Sequence, residues 1–280
     1  KYLLLTALIL GLFIGYLVSS FLPNIYKSHS VLLANEQDES NITNTLNQYS
    51  GLANLAGIDV PQKQTTQAVL AIEIIKSKDF FADFLNEDEL ISLFAVKSWD
   101  LETQLPIYDS TIYDFENKRW IRRVNPPYRS KPSLLEAHEK FNQEVLDIYQ
   151  DEITGLIHIS ISHPSPKIAK KWADKIILMV NEKIRLKDIA EAQSSINYLN
   201  KELINTELNE LRFVLSQLIQ KEISKISLAN VKLEYVFTIV NPPFLPEFKS
   251  SPNRVLIVFL SSFLFLFIAV IYVFLRKFFN

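Results

Sequence analysis

Four histidines, His29, His138, His158 and His163, are scattered through 280 residues, and none stands in an HExxH or other metal-ligand spacing. Cys is absent, which removes thiolate metal sites, disulfides and a cysteine nucleophile and leaves the redox compartment unread. With 5 Gly and no GxxxxGK[ST], the chain has no loop to bring backbone amides against a nucleotide phosphate. No serine occupies a nucleophile elbow. Carboxylates such as Glu87, Asp88 and Glu89 are plentiful, but a glycosidase pair is defined by its spacing in three dimensions. These residues point to no enzyme, no cofactor and no metal. One cluster has the chemistry to bind: Lys118, Arg119, Trp120, Arg122, Arg123, Tyr128, Arg129 and Lys131. Arginine forks suit phosphate and an aromatic ring offers an apolar face to a sugar. Arg119, Trp120, Arg122 and Arg123 are therefore candidate contacts for a glycan or an anionic lipid-linked intermediate. A solvated basic loop with buried aromatics is the competing reading.

The apolar residues, 48% of the chain, are concentrated at its two ends. From Tyr2 to Leu22 no charge appears, and at 1.5 Å per residue this segment reaches about 30 Å, the thickness of the hydrocarbon layer. Pro23 ends it. A signal peptide would have a shorter apolar region and a small-residue cleavage site. Val255 to Leu275 is a second span, followed by Arg276 and Lys277. Two spans put both termini on one side and membrane lipid among the partners. Basic residues flank both faces, with Lys1, Arg276 and Lys277 against Lys27, Lys249 and Arg254, so charge does not decide the orientation. The chain opens at Lys1 without a Met, which implies residues upstream. In the first span Ala7, Gly11, Gly15 and Ser19 recur every fourth residue, a small-residue face for close packing of another helix, within or between subunits. A net charge of -2 and a pI of about 6.2 exclude a nucleic-acid partner.

Residues 24–241 read as one domain outside the lipid, of α+β class. Ile25 to Ala34 reads as a strand, Asn35 to Asn44 as an acidic loop, and Thr65 to Leu85 as a helix with Val69, Ile72, Ile75, Phe80 and Phe84 on one face. Ser133 and Glu136 form a capping box for a second helix, in which Leu134, His138, Phe141 and Val145 share a face. Ile157, Ile159 and Ile161 alternate with polar residues, as does the run from Val231 to Val240, and both predict strands of one sheet. Between them Ser165 and Pro166 start a helical region, 166–228, with no Gly or Pro after Pro166. Its three-four apolar spacing (Ile189, Ala192, Ile196, Leu199, Leu203) shifts phase before Leu208, Leu211, Leu215 and Leu218, which predicts a bend near Asn205. About 60 helical residues would reach about 90 Å, so part must project or fold back. An apolar seam on a projecting helix predicts a homo-oligomer.

Pro242, Pro243, Pro246 and Pro252 form a stiff arm, 242–254, entering the second span. Their spacing, with Ser251 and Asn253, resembles the signature of the polysaccharide co-polymerases, the Wzz-type chain length determinants of bacterial surface polysaccharides. Further stretches look like family sequence: GLANLAGI (Gly51 to Ile58), AIEIIKSKDFFADFL, HPSPKIAKKWADKI, SINYLNKEL and LEYVFTIV. There are departures. Asn253 stands where the family usually has Lys, and Phe265 and Ala269 where it often has Gly. The resemblance implies a bacterial inner-membrane protein with cytoplasmic termini, two transmembrane helices flanking a periplasmic α/β base with long projecting helices, and a ring- or bell-shaped homo-oligomer. It implies a non-catalytic regulator of chain length, commonly of lipopolysaccharide O-antigen, acting with a Wzy-type polymerase on undecaprenyl-pyrophosphate-linked glycan. Pro242, Pro243, Pro246, Ser251, Pro252 and Asn253 would then face the polymerase. Two alternatives stand beside it: a capsule or export co-polymerase working with a separate tyrosine kinase or export channel, and a two-span periplasmic sensor.

Overall fold

The two apolar ends of the chain lie side by side in the computed structural model, which describes residues 2–35 and 67–279. Helix α1 (Tyr2–Phe21) and the last helix, Arg254–Phe279, run antiparallel, and the small residues of α1 set how closely they approach. A Cβ on Gly11 would stand 2.7 Å from Ser262 Cα, and one on Gly15 would stand 2.9 Å from Val258 Cα. Arg254–Tyr272 is long and apolar enough to cross a bilayer. Helix α1 coincides with the first span expected from Tyr2 to Leu22 except at Leu22 itself, and within it Leu5–Phe21 is a shorter apolar stretch.

Beyond α1 the chain enters a four-stranded antiparallel sheet in the order β6-β7-β1-β8, with β1 at Tyr26–Ala34, β6 at Leu146–Gln150, β7 at Ile157–His163 and β8 at Phe237–Asn241. Ile157, Ile159 and Ile161 of β7 and Leu146 and Ile148 of β6 point to one face and are buried there. The two strands read from alternation do share this sheet, with β1 between them. The second is shorter than its alternation implied. Val231 ends a helix, Lys232 N–H closes it on Leu228 O, and ladder pairing starts only at Phe237.

The segment expected as one helix over 65–85 is two, α2 (Gln67–Lys76) and α3 (Lys78–Phe84). Ser77 interrupts it, because its Oγ accepts the Phe80 N–H and so caps α3. Ile72, Ile75, Phe80 and Phe84 are buried as expected, whereas Val69 is exposed and Ala68 and Ala71 are buried in its place. Helix α4 (Glu87–Ala95) leads into the β2 (Val96–Trp99) and β3 (Pro106–Tyr108) pair, and β4 (Tyr113–Asp114) pairs with β5 (Arg119–Trp120). Helix α5 (Leu134–Lys140) is capped by Ser133 and passes into a π-helical turn, Phe141–Val145. Leu134, expected inside, is exposed, while Phe141 and Val145 are buried.

Helix α6 (Pro166–Asn205) is 40 residues long, about 60 Å. Ser165 caps it, and its first half lies across the buried face of the sheet through Ala169, Trp172, Ala173, Ile176, Ile177 and Val180. Phe84 and Phe141 close over Trp172. At Thr206 the chain does more than bend. It reverses, and α7 (Asn209–Val231) returns along α6, so that Lys225 reaches Asp188 at 3.6 Å and Ala229 enters the main core. The helical region is thus a hairpin standing on the sheet, and the last helix, α8 (Arg254–Phe279), follows the proline arm. GLANLAGI and the loop to Asn44 lie outside the described residues.

Candidate functional site

The proline arm is held against β1, and the way it is held follows from what proline lacks. Pro242, Pro243 and Pro246 have no N–H, so the β8–β1 ladder cannot continue past Asn241. The neighbouring half of β1 supplies side-chain donors in its place. Ser30 Oγ donates to Asn241 O at 2.7 Å and Ser28 Oγ donates to Phe244 O at 2.8 Å. Both serines are fully buried, which explains two hydroxyls on the inward face of a strand. Backbone pairing resumes only at the end next to the paired apolar helices, where Ile25 N–H donates to Ser251 O at 2.9 Å and Ser250 N–H donates to Ile25 O at 2.8 Å.

Along the arm Pro243 and Pro246 turn inward and are buried, whereas Pro242 and Ser251 are exposed and Pro252 is half-buried after a cis bond. Asn253 Oδ1 accepts the Leu256 N–H at 3.3 Å, a cap on α8 that a lysine there would not supply. The start of β8 is fixed from the other side. Asn181 of α6, buried, accepts the N–H groups of Val236 (2.8 Å) and Phe237 (2.9 Å) through Oδ1 and donates to Ile177 O at 3.0 Å. Hydrogen bonds therefore connect α6, β8, the arm and β1.

The paired apolar helices extend this connection. Gly11, Gly15 and Ser19 are buried and Ala7 is half-buried, all on one side of α1. Gly11 lies over Ser262 and Phe265, Gly15 over Val258 and Ser261, and Ser261 Oγ donates to Gly11 O at 2.7 Å. Phe265 packs beside a glycine of α1, so close approach is set from that helix. Ser261, Ser28, Ser30 and Asn181 did not stand out in the sequence. The available signal was a serine every second residue in an otherwise buried strand.

The basic and aromatic cluster is drawn into the fold unequally. Arg122 donates to both oxygens of Glu136 at 2.6 Å and to the carbonyls of Ser130 and Arg129, and it lies 5.1 Å over the Phe94 ring. Glu136 is thereby turned away from the reciprocal half of its capping box. Trp120 packs against Tyr113 and Phe94, and its Nε1 donates to Glu87 at 2.9 Å. The Lys131 hydrogen bond, with help from Trp120, holds the Glu87 carboxyl below its ordinary pKa. Arg119 faces solvent 3.6 Å from Asp114, and Arg123 is exposed.

Folding brings two of the scattered histidines together. His29 of β1 and His158 of β7 stack, with Nε2 and Nδ1 3.1 Å apart, and Tyr149 stacks on His158. Burial, then the nearby His158, pushes His29 below its ordinary pKa. His138 packs edge-on to Phe81 and its Nε2 bonds Lys76 O at 2.8 Å. His163 is buried beneath the sheet: Nδ1 accepts the Ser165 N–H at 2.9 Å and Nε2 donates to Ser92 O at 3.0 Å. Among the described residues no three His, Asp or Glu side chains group as metal ligands.

No family model and no curated protein matches the chain. Its structural neighbours are polysaccharide co-polymerases. A full-length bacterial polysaccharide co-polymerase is 12% identical, with 99% of this chain and 94% of that one covered and a TM-score of 0.38. A fragment of WzzB, a polysaccharide co-polymerase from Salmonella Typhimurium, is 12% identical over 81% of this chain and 100% of that one, with a TM-score of 0.33. A Wzz dodecamer is 11% identical over 81% and 100%, with a TM-score of 0.23.

Proposed function

We propose that this chain is a non-catalytic regulator of bacterial surface-polysaccharide chain length, with O-antigen as the polymer. It works as a homo-oligomer beside a Wzy-type polymerase that extends undecaprenyl-pyrophosphate-linked glycan. Both apolar helices cross the inner membrane, the termini are cytoplasmic and the α/β domain is periplasmic.

The observation that carries this reading is the continuity of the arm. Two buried prolines and two buried serines fasten the segment before α8 to the first strand after α1, immediately outside the paired apolar helices. A partner in the membrane that grips the helices is in this way coupled to the sheet and the helical hairpin. The sequence resemblance at the arm supplies the identity of that partner, and the exposed Pro242 and Ser251 are the positions it would touch. Arg119 and Arg123, which face outward, are the cations a growing glycan would meet.

The test is a gel of surface polysaccharide from cells with the gene deleted, restored, and restored with Pro243→Ala and Pro246→Ala. Modal banding lost on deletion and regained on restoration supports the role, and the double variant then reports on the arm. Banding that never changes while folded protein is present would falsify the role for that glycan. Charge reversal at Arg119 and Arg123 that leaves the modal length unchanged removes them as glycan contacts.

A further inference from the structure

At the outer end of the paired apolar helices the chain encloses a cavity of about 720 Å³. Its walls include Phe21 and Leu22 at the end of α1, Phe94 and Lys97 around β2, and Arg254 at the start of α8. Asn24, between α1 and β1, also lines it, and there two cations meet. Asn24 Oδ1 accepts from Arg254 Nη2 at 3.1 Å and from Lys249 Nζ at 3.3 Å. One neutral oxygen thus sits between two positive charges, and neither cation has a carboxylate partner among the described residues. The acids of the wall face other groups, Asp109 lying within reach of the Lys97 charge and Glu144 pairing with Lys140 of the same wall. Asp109 accepts from the N–H (2.9 Å) and hydroxyl (2.7 Å) of Thr111, and Glu144 lies 3.7 Å from Lys140.

Like charges converging on a neutral group leave a field that an anion with several oxygens would satisfy, and a guanidinium fork matches a phosphate. The apolar side of the cavity begins at the last turn of α1, the depth at which headgroups meet hydrocarbon. We propose that the cleft binds the phosphate of a membrane lipid at Arg254 of its wall and Lys249, which reaches the wall at Asn24, with the lipid's apolar stem against Phe21 and Leu22. This rests on the reading that α1 and α8 cross the membrane. The phosphate chemistry is common to glycerophospholipids and polyprenyl phosphates, which differ in the stem.

The test uses the full chain in a phosphate-free maltoside detergent, with native mass spectrometry counting adducts. Four probes are titrated: phosphatidylglycerol, farnesyl phosphate, diacylglycerol and inorganic phosphate. Saturable binding of the two phosphate lipids is expected, the tighter one naming the source, with diacylglycerol at least about ten-fold weaker. Arg254→Gln with Lys249→Gln should weaken lipid binding by about ten- to a hundred-fold. Lys232→Gln, which removes an exposed cation outside the cavity, should change nothing. Unchanged binding by the double variant, with its melting temperature intact, overturns the proposal. So does diacylglycerol binding as tightly as the phosphate lipids, an equal loss in Lys232→Gln, or inorganic phosphate binding as tightly as either lipid. The membrane reading is checked separately by carbonate extraction: release of the chain from membranes overturns that reading, whereas a retained chain without a lipid site overturns only this one.

Discussion

Asn181 is the residue at which burial and hydrogen bonding are most tightly linked. It sits in the core with every strong hydrogen-bonding atom engaged, and it pairs the N–H groups of Val236 and Phe237 before the ladder begins. Asn181→Ala strands both donors in an apolar setting, which costs about 2–4 kcal/mol. Chemical denaturation of the detergent-solubilised chain should show that loss, and a variant within about 0.5 kcal/mol of the parent would mean the two N–H groups find other partners. His163 gives a pH dependence. Burial lowers its pKa to about 4, so the folded state holds the neutral ring while the unfolded chain protonates near 6.5. Between those values the unfolded state binds more protons. The stability from a neutral His163 is therefore complete above about pH 6.5 and falls away as pH drops towards 4, by about 3 kcal/mol at most. Melting temperature should decline across that window, and in His163→Gln the decline should shrink to what His29 and the carboxylates leave.

Between elements, one contact is set by size alone. Gly11 and Gly15 let α1 approach the backbone of α8 to a distance at which any Cβ collides, and Ser261 uses that closeness to bond Gly11 O. Gly11→Leu must push the helices apart. A disulfide between cysteines introduced on the facing sides of α1 and α8 should form readily in the parent and slowly in Gly11→Leu; equal rates would show that the helices are not held by this face. Other element-level features were only partly legible. Ser165 and Pro166 announced the start of α6, and strict alternation announced β7. The run from Val231 to Val240 alternates just as well, yet its first residue closes a helix, because a short apolar run satisfies either period. The break after Asn205 contains no Gly or Pro. Thr206 supplies it by leaving helical geometry while its hydroxyl bonds Glu202 O at 2.7 Å.

The whole molecule has a core at the sheet and a hairpin that extends beyond it. Along the end of α6, the turn and α7, Ile204, Leu208, Leu211, Phe213, Val214 and Leu218 remain exposed even after the two helices have packed on each other. The expectation that the apolar seam needs a partner is therefore met in part within the chain, and the remainder is surface that a second copy would cover. Multi-angle scattering in nanodiscs should give a multiple of 32.3 kDa once the disc is subtracted, and Leu211→Glu with Phe213→Glu should lower it; a monomer in the parent would remove self-association from the proposed function.

Read alone, the sequence determined the apolar ends, the α+β class, the helical region and the proline arm, because each is written in local composition or in a short-range period. The tertiary structure decided three things that no local period encodes. It set the strand register that places His29 on His158, turned the long helix back on itself, and paired the hydroxyls of Ser28 and Ser30 with carbonyls more than two hundred residues away. The physical reason lies in the prolines. They remove donors from one segment, and only the strand that folding lays beside it can supply replacements.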